Sequence, residues 1–432
     1  MRLELHMVTI KDIQFGNETR VDQGVLYINR DELENLLMKD RRFRQVDIEV
    51  ARPGDSCRIF EVVDVLEPRA KIGSGHKDEV GRETVPQSIG EGVTCVLQGA
   101  AIALIDCRER QDVAGSTLPR GDIIDMSGPG REVGLYGNTC NVVLLPRPKQ
   151  GVNPLEYQAA LKMAGLKTSA YLAAAGKDLP PDATEVYDLP PLTRIKDGME
   201  DLPKITYIFQ ILSLQYEPIP GDPTLFGKQA GGIVPTILHP NQVLDGAVTS
   251  ALPGLNVQTY GIQNHSLIKE LYSRHGKDLC FTGVIATIAP NNVLEFDRIA
   301  DITASLARDV IGADGAILTK VGGGAPELAM ARTAQRCEQM GIKTTIAMLH
   351  MGADFKDAKF GATTIFNLPE VDAIVSMGVP YTAVTLPTVE RVIGPRDFPE
   401  GSAIAGEIVQ GLGFIKGALC QFGNSFLTAV RY

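Results

Sequence analysis

Residues 279–289 read LCFTGVIATIA and residues 316–319 read AILT. Between them, FDRIADITASLARDVI (296–311) sets apolar residues at Ile299, Ile302, Leu306 and Val310. PELAMARTAQRCEQM (326–340) follows with a second helical spacing, and KTTIAML (343–349) with a further apolar run. Short β-branched runs alternating with helical patterns predict right-handed βαβ units and a parallel, doubly wound sheet. Outward from this core, Lys204–Leu214 and Asp372–Ser376 read as strands and Ala403–Lys416 as a last helix. Upstream, Asn153–Ala175 is alanine-rich with helical spacing at Tyr157, Leu161, Ala164 and Leu166, and the proline-rich stretch Leu179–Pro191 follows it.

The first part of the chain has a different style. Leu3–Ile10 alternates in polarity, Gly24–Ile28 is a short strand, and Asp31 is placed to cap a helix over Glu32–Met38. Val46–Ala51, Ser56–Val65, Gly92–Ile105 and Cys140–Leu145 are further strands. Glycine-rich loops, Gly73–His76 and Met126–Gly130, separate them, and Pro146-Arg147-Pro148 reads as a linker. The expected class is therefore α/β. A strand-rich N-terminal domain (1–148) precedes a doubly wound parallel-sheet α/β region (149–432), which has room for two lobes split near residue 250.

Composition narrows the function. The 42 Lys and Arg against 52 Asp and Glu leave a net charge of −10, which disfavours a binder that works by neutralising phosphates. No 18-residue apolar run or signal core is present, so no membrane span is expected and the cytoplasm is the default compartment. The seven cysteines form no C-x-x-C and are odd in number, which argues for reduced, buried thiols over a zinc site or disulfide framework.

Ligands of open α/β sheets bind beyond the carboxyl ends of the strands. That rule selects Leu238–Asn241 running on to Asp245–Ser250, Ala289–Asn292, Lys320–Gly324, and His350–Asp354. The triple glycine Gly322-Gly323-Gly324 lies after a strand and before a helix, where exposed amides suit a carboxylate or serve a tight turn. It is neither G-x-G-x-x-G nor a P-loop. His239, His265 and His350 suit proton transfer, substrate contact or a structural hydrogen bond. His275 reads as a structural residue at a helix C-terminus. No nucleophile elbow or useful carboxylate pair is visible.

Several segments form an ordered set: IKDIQFG (10–16) with GVLYIN (24–29), VDVLEPR (63–69), IDMSGPG (124–130), MAGLK (163–167), PTILHPNQVLDGA (235–247), LYSRHGKD (271–278) and VIG (392–394). The set resembles the precursor of the alpha and beta subunits of component B from glycine, sarcosine and betaine reductases, with D-proline reductase as a more distant relative. The resemblance implies a substrate-specific subunit of a hetero-oligomer that cleaves a carbon–nitrogen or other carbon–heteroatom bond. It implies a partner subunit bearing a thiol or selenol, which attacks the substrate's α-carbon, and a small-molecule substrate. It also implies self-cleavage before an internal cysteine, which becomes a pyruvoyl group.

This chain departs from that pattern at one point. The segment expected to hold the processing cysteine reads Asp245-Gly246-Ala247-Val248-Thr249-Ser250-Ala251-Leu252-Pro253-Gly254 and contains none. The expectation is an intact chain with no pyruvoyl cofactor, and with Ser250 as the residue from which one would otherwise be made. His239, Asp245, Thr249 and Ser250 are the expected catalytic residues. Asn241, His265, Gly322, Gly323, Gly324 and His350 are the expected substrate-binding residues. No metal site is expected. The alternative is a scaffolding or binding subunit without chemistry of its own.

Overall fold

A computed structural model describes residues 1–72, 89–108, 122–214, 221, 223–252, 256–349, 373–395 and 404–423. His350, Gly73–His76 and Asp372 lie outside the described residues. The architecture is mixed α/β.

Arg2–Thr9 buries Leu3, Leu5 and Met7 on one face, as its alternation requires. It pairs antiparallel with Ala183–Asp188 and parallel with Gly92–Gln98, which continues to Arg69–Ile72. A second sheet runs Phe43–Ala51, Cys140–Pro148, Ala100–Ile105, Val62–Leu66. The helix Pro154–Ala174, capped by Asn153, packs on these strands. Gly165 allows the approach, because a Cβ there would lie 2.9 Å from Leu104. A third sheet joins Ile123–Asp125, Cys57–Phe60 and Arg391–Ile393, the last pairing parallel with Cys57–Ile59.

The largest sheet has six strands, in the order Thr236–Leu238, Cys280–Ala289, Lys204–Ser213, Gly315–Thr319, Lys343–Met348, Ala373–Ser376. All its pairings are parallel except that of Thr236–Leu238. One face, with Ile208, Ile285, Leu318 and Ile346, packs with Ala331, Ala334 and Cys337 of the helix Ala325–Gln339 and with Ala304 of the helix Val293–Ser305. The opposite face, with Tyr207, Phe209 and Phe281, shares a core with Leu3 and Leu5 and with the helix Ser266–Arg274. The N-terminal sheet and the parallel sheet therefore bury one another.

Several expectations change. Asn29, not Asp31, caps the first helix, accepting from the Glu32 amide at 3.1 Å, and the helix spans Arg30–Met38. Ser56–Val65 divides at Glu61, which has a φ of 61°, and Gly92–Ile105 divides at Gly99, with a φ of 89°. Pro146–Pro148 runs as strand against Phe43–Val46 instead of as irregular linker. The proline-rich stretch contains the strand Ala183–Asp188. The expected helix over Ala403–Lys416 is not continuous: among the described residues only 404–405 and the 3-10 turn Leu412–Phe414 are helical, and Ile408–Gly411 is a strand paired antiparallel with Ala383–Leu386. Glycines at 406, 411, 413 and 417 interrupt its helical spacing.

Candidate functional site

His239 begins the helix Pro240–Leu244 as its cap. Its Nδ1 accepts from the Asn241 amide at 3.2 Å, and its own amide donates to Gln242 Oε1 at 2.9 Å. Burial, with the chain's N-terminal charge, pushes the imidazole down to about 4, so it is neutral at pH 7. Asn241 is fully buried. Its Nδ2 donates to the carbonyls of Met1, Gly90 and Tyr187 at 3.0–3.2 Å, and its Oδ1 accepts from Tyr272. Asp245 accepts from the Gly90 amide at 2.6 Å and from Thr94 Oγ1 at 2.7 Å, and pairs with Lys71.

Thr249 Oγ1 donates to the Pro223 carbonyl at 2.6 Å. Ser250 is almost fully buried, and its Oγ donates to the Val257 carbonyl at 2.6 Å and the Ala251 carbonyl at 3.1 Å. The Ser250 amide donates to Thr259 Oγ1 at 3.1 Å, and Thr259 Oγ1 donates to Asp64 at 2.6 Å. Lys162 closes this group through an ion pair with Asp64. A second buried group lies beside it. Glu67 accepts from the Arg69 guanidinium at 2.6 and 2.8 Å and from Asn264 at 3.0 Å, while Arg69 reaches the Leu244 carbonyl at 2.7 Å.

His265 is enclosed by Tyr207, Phe209 and Phe422, stacked on the last with centroids 4.1 Å apart. Burial lowers it to about 3. Its Nε2 lies 3.1 Å from Tyr207 Oη, which lies 2.5 Å from Thr319 Oγ1. The next residue, Lys320, is fully buried, donates to the Gly322 carbonyl and pairs with Glu327 at 3.0 Å. Gly322 is buried, Gly323 half-buried and Gly324 exposed.

Two groups emerge. The Asp245–Ser250 region is joined to Asp64, Lys162, Glu67 and Arg69, and His265 is joined through Tyr207 and Thr319 to the edge of the glycine loop. No hydrogen bond among the described residues links His239 or Asn241 directly to Gly322–Gly324, and His350 lies outside them. The charged residues of VDVLEPR, together with Lys162 and Glu327, were not named as site residues from the sequence, and Lys320 entered only as the start of the selected segment Lys320–Gly324. A usable signal existed for Lys320, a charge set between an apolar strand and three glycines. Lys162 gave none, because its helix is apolar on nearly every side.

The described residues contain no group of three His, Cys, Asp or Glu able to hold a metal. All seven cysteines are buried, and none is in a disulfide. Burial raises the thiols of Cys95 and Cys140 to about 11 and Cys337 to about 12, and pushes Cys57, Cys107 and Cys280 upward. A protonated, enclosed thiol is a poor nucleophile.

These features define an α/β protein whose buried charges gather around strand ends and around the junction of two sheets. A family profile described as glycine/sarcosine/betaine reductase component B subunits matches residues 1–413, and the chain belongs to that family. Sarcosine reductase complex component B subunit alpha of Peptoclostridium acidaminophilum is 35% identical over 93% of this chain and 91% of its own length. Glycine reductase complex component B subunits alpha and beta of Acetoanaerobium sticklandii is 33% identical over the whole of both chains. Betaine reductase complex component B subunit alpha of P. acidaminophilum is 31% identical over 91% of this chain and 88% of its own. No solved structure matches. The chain is thus a subunit of the reductase-complex type, and no helix among its described residues is long and apolar enough to cross a membrane.

Proposed function

We propose that this chain is the substrate-binding subunit of a complex that reductively cleaves the carbon–nitrogen bond of a small amino-acid-like substrate, such as glycine, sarcosine or betaine. A thiol or selenol on a separate partner subunit attacks the α-carbon, and the bonding pair leaves with the amine. The observation that carries this division of labour is the state of the thiols. All seven are buried, and burial raises six of them above the ordinary thiol range, the opposite of what an attacking sulfur needs.

We further propose that the chain works intact, without a pyruvoyl group. Ser250 supports this reading, because its hydroxyl donates to two carbonyls and its amide is held by Thr259. With no carbonyl to draw electrons from the nitrogen, the substrate must bring a leaving group that is already cationic. A quaternary ammonium such as betaine meets that need. The intact-mass spectrum of the purified chain should show one species near 46.6 kDa. Two fragments with a blocked new N-terminus would overturn the cofactor-free reading. In the complex reconstituted with its partner and a reductant, betaine should release trimethylamine. A complex that turns over glycine but not betaine would overturn the substrate preference.

A further inference from the structure

We propose that Lys320 and Glu327 form a recognition pair for the two ends of a small zwitterion, Lys320 taking its carboxylate and Glu327 its cationic nitrogen. The proposal rests on the substrate-binding reading above and names residues of that same site.

The argument starts from the sheet. In open parallel sheets the ligand crevice lies at the carboxyl ends of the strands, where the strand order reverses. Here the chain leaves Lys204–Ser213, places Cys280–Ala289 on one side of it and later Gly315–Thr319 on the other. The reversal therefore falls between Lys204–Ser213 and Gly315–Thr319, and Lys320 is the first residue beyond the second of these strands. Gln210, on the first strand, braces the loop at both ends. Its Oε1 accepts from the Val321 amide at 3.3 Å, and its Nε2 donates to the Pro326 carbonyl at 3.1 Å. Gly323 and Gly324 remain at the rim, half-buried and exposed.

Lysine is rarely buried completely, and a buried ion pair is weak evidence for a stabilising role. The Lys320 side chain has 0% exposure and that of Glu327 2%. An ammonium has three N–H donors. That of Lys320 donates to the Gly322 carbonyl and meets Glu327 Oε1 at 3.0 Å, so one of its three N–H donors has no partner among the described residues. A spare donor on the cation and the negative charge of the carboxylate thus lie side by side, beneath a loop whose Gly323 and Gly324 reach the surface. This is the complement of an α-amino acid or a betaine, which carries one carboxylate and one cationic nitrogen a single carbon apart. Acetate or an alkylammonium would satisfy only one half of the pair.

Isothermal titration of the full chain with glycine, sarcosine, betaine, acetate and trimethylammonium tests this. At least one zwitterion should bind about tenfold or more tighter than acetate or trimethylammonium. The double variant Lys320→Met/Glu327→Leu replaces the pair by apolar groups, a change that buried ion pairs often tolerate. It should keep the near-ultraviolet circular dichroism of the parent and lose about tenfold or more in zwitterion affinity. Glu327→Gln, nearly isosteric, should abolish the preference for the zwitterion over acetate, whether or not the double variant folds. A preference that survives Glu327→Gln, or a folded double variant that binds as tightly as the parent, overturns the pair and leaves the substrate-binding reading standing. Failure of the parent chain to bind any zwitterion overturns that reading itself.

Discussion

Lys162 and Asp64 meet as an ion pair in which neither side chain exposes any surface, although 98 positions separate them in the chain. Asp64 also accepts from the Val65 amide, the Thr259 amide and the Thr259 hydroxyl at 2.6–2.9 Å. The pair therefore fixes the long helix of the first half to the short helix after Ser250. Lys162→Met leaves a carboxylate buried without its counter-charge and should cost about 3–5 kcal/mol in urea unfolding. Adding Asp64→Asn removes the stranded charge and should recover part of that loss. A single variant within about 0.5 kcal/mol of the parent would mean that the pair does not hold the two halves.

His265 makes stability depend on pH. Burial moves its protonation from the ordinary 6.5 down to about 3. Between these values the unfolded chain binds a proton that the folded chain does not, so stability is complete above pH 6.5 and falls as the pH drops towards 3. From pH 6.5 to 5 the loss from this residue should be about 2 kcal/mol. His239, lowered to about 4, acts in the same direction. Guanidinium midpoints at several pH values check this, and His265→Gln should flatten the curve. An equally steep curve in the variant would remove His265 from the account.

The thiols should be silent in the native state. A disulfide reagent such as Ellman's should label the folded chain slowly at pH 7.5 and titrate seven groups in denaturant. One fast native thiol would contradict the enclosed setting and reopen the question of which subunit carries the nucleophile.

Gly99 turns the chain between two strands with a φ of 89°, and a Cβ there would lie 2.5 Å from the Ile10 carbonyl oxygen. Gly99→Ala should therefore cost at least about 1–3 kcal/mol, measured as a lowered thermal midpoint. Gly92→Ala is the control: its φ is 75°, but nothing lies within 4 Å. It should carry only the backbone strain.

The central parallel strands were legible because they are continuous apolar runs, buried throughout in Cys280–Ala289, whereas Ala373–Ser376 at the sheet edge is mostly exposed. Breaks within runs were not. Glu61 adopts a positive φ that nothing in its residue type announces, and Gly99 sits in a stretch that otherwise reads unbroken. Ile404 and Ile408 sit at a helical interval, yet the surrounding glycines and the pairing with Ala383–Leu386 turn the segment into strand. His239 was legible as an extended residue before a proline, while its partner Gln242 and its capping role depend on three-dimensional closure. Asp64 and Lys162 were hidden for the same reason, since each balances the charge of a residue 98 positions away, whereas Glu67 pairs with Arg69 only two residues on.

The parallel pairing of Arg391–Ile393 with Cys57–Ile59 has a consequence for how the molecule is held together. The end of the chain supplies a strand to a sheet begun near its start, and Arg58 reaches forward to the carbonyls of Pro387 and Gly406 at 3.0 and 3.1 Å. A protease nick between Thr249 and Ser250 would leave two pieces laced through one another, with shared sheets on both sides of the cut. Such pieces would part only on unfolding, so the chain behaves as an interlocked pair of halves whether or not its backbone is continuous.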